Sequence, residues 1–171
     1  MKKLIIGFII FSVTVMWFMY KSNKDREIEK RKQEDISLIK SSTSMINDVD
    51  IEKIAVSNKM NQSDQAFYKS IGGRWSDALA VAGSTPRIGL ATPVQSLQSI
   101  KRELESKKAN TPCEDAMKGN LLHAYDYTIK SFLSFMQDSE TAANEYMKSG
   151  MVYMDNSIFL IDYCKADKAT K

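Results

Sequence analysis

Apolar residues recur along most of this chain at spacings of three and four, the mark of helices with one buried face. Ile36, Ile39, Ile46 and Val49 keep this spacing and Ile51 and Ile54 continue it, until Asn58 to Asp64 interrupts. Phe67, Ile71, Trp75, Leu79 and Ala82 then trace one broad face of a second helix. Gly72 and Gly73 fall inside that segment. Each costs a helix about 1 kcal/mol relative to Ala, so the pair predicts a kink or a close helix contact.

Three Thr-Pro pairs punctuate the next stretch: Thr85-Pro86, Thr92-Pro93 and Thr111-Pro112. Thr at the N-cap with Pro at the first helical position is a start signal, because Pro lacks only an N–H that would be unpaired there. Thr92 with Gln95 and Thr111 with Glu114 complete capping boxes. The first box opens a helix with Val94, Leu97, Ile100 and Leu104 inward, ending near Lys107-Lys108, where basic residues suit the helix dipole. The second opens a long helix striped by Leu121, Leu122, Tyr125, Ile129, Phe132 and Met136. A last helix, from about Glu140 to Cys164, places Ala143, Met147, Gly150, Met154, Ser157, Ile161 and Cys164 in heptad register.

The N-terminus differs. Residues 4–20, LIIGFIIFSVTVMWFMY, carry no charge and would extend about 26 Å as a helix, close to a hydrocarbon core of ~30 Å. The run ends in Met16, Trp17, Phe18, Met19 and Tyr20, too bulky for a cleavage site, so it reads as an anchor rather than a removed signal peptide. Trp17 and Tyr20 suit an aromatic belt at the interface. Residues 21–35 follow with eleven charges of mixed sign, a solvated helical stalk or a disordered spacer. No segment alternates with period two. The predicted class is all-α: a single transmembrane helix followed by an antiparallel bundle of about four helices. The organisation is a cytoplasmic tail over 1–3, a signal anchor over 4–20, a charged stalk over 21–35 and a bundle over 36–171.

Composition sharpens this. The 171 residues, with 7 Gly and 3 Pro, suit one domain and leave little turn chemistry for a sandwich or barrel. The net charge of +3 divides into +2 from residues 1–20, six basic minus five acidic from 21–35, and zero from 36–171. A neutral body lacks the basic excess that nucleic-acid binding requires.

Cys113 and Cys164 are the only cysteines. The last two helices should form a hairpin turning near residues 138–139, and the midpoint of 113 and 164 is 138.5. Closing the hairpin brings the two thiols opposite each other at its open end and predicts a disulfide; two free thiols in a reducing compartment are the alternative. A bridge favours an exported body. Basic residues after the span count against that orientation, whereas the short Met1-Lys2-Lys3 tail is usual for it. The expected location is a bacterial inner membrane, N-terminus cytoplasmic and body periplasmic.

Catalytic chemistry is hard to find. His123 is the sole histidine and has Gly119 and Tyr127 at i±4, so no neighbouring acid or thiol positions it. Motifs for metal hydrolysis, thiol redox, nucleophilic serine and phosphate binding are missing. Met147, Met151 and Met154 could hold Cu(I), but methionines at helical spacing are usually core. No cofactor is expected. Arg74, Trp75 and Arg87 flank the turn Gly83-Ser84-Thr85-Pro86 and are the candidate interface, since Trp and Arg anchor protein contacts. The bland reading of the same residues is a buried Trp beside a local Asp77–Arg87 ion pair. The expected role is a non-enzymatic single-pass envelope protein whose bundle binds a protein partner. The alternatives are a periplasmic ligand-sensing bundle acting through a membrane partner, or a phage-type lysis or immunity accessory protein.

Overall fold

A computed structural model describes the backbone of residues 2–57 and 59–165, with side-chain environments from Tyr20 onward. Six α-helices occur among the described residues: α1 (Lys2–Ser42), α2 (Asp48–Ala55), α3 (Gln62–Ser84), α4 (Ala91–Ser106), α5 (Pro112–Met136) and α6 (Glu140–Lys165). A 3-10 turn, Arg87–Gly89, links α3 to α4.

Helix starts follow local chemistry. Asn47 and Asn61 cap α2 and α3 in the same way. Each side-chain oxygen accepts the N–H of the Asp three residues on, and each side-chain NH₂ donates to that carboxylate at 2.7 Å. Thr111 caps α5 as expected, accepting the Glu114 N–H at 3.1 Å with Pro112 in the first turn. Thr92 does not cap α4. The 3-10 turn lets the helix begin at Ala91, its N-cap is Leu90 with no side-chain hydrogen bond, and Pro93 is buried inside the first turn.

The apolar faces converge on one core. Ile71 and Trp75 of α3, Val94, Leu97 and Leu104 of α4, Leu121, Tyr125 and Ile129 of α5, and Leu160 of α6 are all buried in it. Trp75 and Tyr125 stack with ring centroids 3.5 Å apart and planes within 4°, tying α3 to α5. α5 and α6 form the closest pair. Gly150 brings them together, since a Cβ there would lie 3.3 Å from the Ala124 carbonyl oxygen and from Thr128 Oγ1. Ser131 Oγ donates across the pair to the Ala143 carbonyl at 2.7 Å. Gly72 and Gly73 do not make the close helix contact expected of them. α3 runs unbroken through both, and a Cβ at either would meet nothing within 4 Å.

The structure corrects the membrane expectation. Among the described residues no helix is long and apolar enough to cross a membrane. The segment 4–20, on which the anchor was placed, lies outside the residues with described side chains, apart from an exposed Tyr20. Beyond it α1 is charge-rich and mostly exposed until Ile39, so it offers no apolar surface of membrane length. The single-pass topology therefore does not stand. With it fall the membrane partner through 4–20, the inner-membrane and periplasmic location, and the envelope role built on docking a protein partner. The helical bundle remains, with six helices among the described residues where a membrane helix and about four more were expected.

Candidate functional site

Cys113 and Cys164 are bonded, with Cα atoms 5.8 Å apart, inside the ordinary range for a disulfide. Both are buried at the open end of the α5–α6 hairpin. The α2–α3 link packs on this staple: the Met60 N–H donates to the Cys164 carbonyl and the Cys113 N–H to Ser57 Oγ, each at 3.1 Å.

Beside the disulfide lies a buried polar node missed by sequence reasoning. Asp64 of α3 and Glu114 of α5 are 4% and 0% exposed. Lys107, at the end of α4, donates to Asp64 Oδ1, and Asn110 Nδ2 donates to Asp64 Oδ2 at 2.9 Å. Glu114 accepts the Tyr68 hydroxyl at 3.0 Å and the Asn110 N–H at 2.7 Å, and lies 3.8 Å from Lys107. The hydrogen bond from Lys107, then that from Asn110, holds the Asp64 carboxyl below the usual carboxylate range. Burial, reinforced by the Glu114 charge, pushes the Tyr68 hydroxyl well above the ordinary phenol range, so Tyr68 stays a donor. Each oxygen of both carboxylates has a partner. The node locks three helix ends together.

The other face of α5 borders an open cleft of about 360 Å³. Its walls come from the α1–α2 link (Met45, Ile46, Asn47), from α2 (Asp50, Lys53, Ile54), from α5 (Asp115, Gly119, His123) and from Tyr153 of α6. Met45 sits on the rim in the left-handed region, φ 66°, a conformation costing a non-glycine residue about 1 kcal/mol or more. Next to it, Ser44 is clamped by Asn156 of α6, whose amide accepts the Ser44 N–H at 2.9 Å and donates to its carbonyl at 2.6 Å. Asn156 also donates to Asn120 Oδ1 at 3.0 Å, and Asn120 donates to the Ala116 carbonyl at 2.8 Å. This chain of amides fixes the link, α5 and α6 relative to one another behind the cleft. His123 is exposed, with its ring 4.9 Å from that of Tyr153.

The residues singled out from sequence do not meet in one place. Trp75 is 3% exposed, so it belongs to the core and not to an interface surface. Arg74 is half-exposed and pairs with Glu103 at 2.6 Å. Arg87 does not pair with Asp77. It reaches Asp138 and, at 3.1 Å, Glu140, and lies 4.3 Å over the Phe135 ring, pinning the 3-10 turn to the α5–α6 turn. Of the methionine triplet, Met147 and Met154 are partly buried whereas Met151 is 59% exposed, so the three do not converge. Among the described residues no group of three or more His, Cys, Asp or Glu is placed to hold a metal ion.

Fold and site together define a disulfide-stapled, all-helical domain with a mixed polar and apolar cleft on one side. Compared with known proteins, the chain matches no family model, no curated protein and no solved structure.

Proposed function

We propose that this domain is a small-molecule-binding helical bundle, a sensing module without catalytic activity of its own. The cleft between the α1–α2 link, α2 and α5 carries this reading. Its volume of about 360 Å³ lies in the range of small-molecule sites, and it combines an apolar floor with a few convergent polar groups. Binding sites also tend to sit where strained backbone is held by surrounding structure, which matches Met45 beside the Asn156 clamp. The disulfide and the buried node brace the N-terminal end of α5, so one wall of the cleft is rigid before any ligand arrives.

His123 lines the cleft and is the only histidine in the chain, so its imidazole NMR signals report on this one place. Gly119 supplies the control. A Cβ there meets nothing within 4 Å, so the Gly119→Leu side chain starts in open space on the cleft wall, and an unchanged thermal midpoint checks that the bundle is intact. Titrating the full chain with a fragment set of amines, alcohols and carboxylates should move the His123 signals saturably for one class. Gly119→Leu should abolish that response. Signals unmoved by every fragment, or moved equally in Gly119→Leu, would overturn the reading.

A further inference from the structure

We propose that the cleft selects an organic cation, an ammonium group carried on an apolar body; this rests on the ligand-binding reading above. The charges around the cleft decide the sign. Asp50 is already satisfied: Lys53 donates to one carboxylate oxygen at 3.1 Å and Asn47 to the other at 2.7 Å. That pairing engages the one lysine on the walls, so the charges of Asp50 and Lys53 offset each other. Asp115 differs. It lies at the cleft end of α5, is exposed, and among the described residues its carboxylate has no ion pair and no side-chain hydrogen bond. The cleft therefore keeps one carboxylate without a cationic partner among the described residues.

The uncharged walls point the same way. Two turns along α5 from Asp115, the His123 ring leans on Tyr153 at a tilt of 33° and supplies aromatic surface. Ile46, Ile54 and Met45 provide aliphatic surface for a carbon body, and Gly119 leaves the space between Asp115 and His123 open. A carboxylate at one end, aromatic surface at the other and an apolar floor between them match an amine with a hydrophobic body. A sugar would leave the floor unused, and an anion would face Asp115 with only the Asp50-paired Lys53 to offset it.

Three probes of one shape separate these cases: 2-phenylethylammonium, 2-phenylethanol and 3-phenylpropionate, each titrated into the full chain at pH 8 while the His123 signals are followed. The ammonium is expected to bind about tenfold tighter than the alcohol, the scale of one charge-assisted contact, and the carboxylate weakest of all. Asp115→Asn should bring the ammonium to within about threefold of the alcohol and leave the alcohol unchanged, because only the charged contact is lost. Thermal midpoints of both chains check that the bundle is intact, since Asp115 also lies in the first turn of α5 and interacts with its dipole. If alcohol or carboxylate binds as tightly as the ammonium, or if Asp115→Asn keeps the preference, the cation assignment fails while the cleft remains a ligand site. If none of the three moves His123, the cation assignment fails; silence across the wider fragment set removes the ligand site as well.

Discussion

Asn156 grips the backbone of Ser44, 112 residues away in sequence, through both halves of its amide: Oδ1 accepts the Ser44 N–H at 2.9 Å and Nδ2 donates to the Ser44 carbonyl at 2.6 Å. A side chain here does what a neighbouring strand would do, and it does so while 2% exposed. Through these bonds α6 holds the α1–α2 connection, which forms a wall of the cleft. Asn156→Ala should lower stability by about 2–3 kcal/mol, at roughly 1 kcal/mol for each of three hydrogen bonds lost. Urea unfolding would measure it, with faster hydrogen exchange at the Ser44 amide as the local sign. Asn156→Asp should recover little, since a carboxylate cannot donate to the Ser44 carbonyl.

Reducing the Cys113–Cys164 bond should destabilise the chain by about 4 kcal/mol, the loop-entropy value for closing a separation of 51 residues. Thermal unfolding with and without reductant tests this. The double variant Cys113→Ser, Cys164→Ser should match the reduced protein within about 1 kcal/mol, because both positions are buried and a hydroxyl there is slightly less favourable than a thiol.

The glycines should divide by environment. Gly72→Ala and Gly73→Ala should each stabilise by about 1 kcal/mol, since both lie in an unbroken helix with open space at the Cβ. Gly150→Ala should destabilise despite the same propensity gain, because its Cβ would meet the Ala124 carbonyl, Thr128 Oγ1 and Tyr127 Cβ at 3.3 Å. Chemical denaturation of the three variants side by side would show opposite signs.

Acid should loosen the buried node first. Asp64 has its carboxyl lowered in the folded state, chiefly by Lys107 and Asn110. Its contribution is therefore full above the unfolded carboxylate value of about 4 and is lost as pH falls through the lower folded value. Between about pH 5 and 2, wild-type stability should fall more steeply than that of Asp64→Asn, measured by urea midpoints across the range. Lys107→Met, at neutral pH, should cost about 3 kcal/mol, the low end for breaking a buried pair, because Lys107 remains 21% exposed.

Much of the helix layout was legible in sequence because helical geometry is periodic. The stripes over Phe67–Ala82, Val94–Leu104 and Leu121–Met136 face the core, and the heptad of α6 is buried or half-buried at every position. The disulfide was legible for the same reason. Both arms of a hairpin rise equally per residue, so cysteines equidistant from the turn must meet. Among the local readings that failed, two show the effect of context. The Thr92 cap lost to a 3-10 turn that seats Leu90, 1% exposed, in the core. Val49, expected on the inward stripe, is 63% exposed because the link after Ser42 resets the helical phase.

What the sequence determined by itself was the all-helical class, the buried faces of α3 to α6 and the one covalent crosslink, because each depends on spacing along a single stretch or a single hairpin. The buried node and the cleft were decided only by tertiary structure. Asp64, Lys107 and Glu114 come from three helices, and Asp50, Asp115 and Tyr153 from three elements, with no common period to announce them. Sequence periodicity tells a helix which side to bury; which polar groups meet across the resulting gaps depends on how the helices settle against one another.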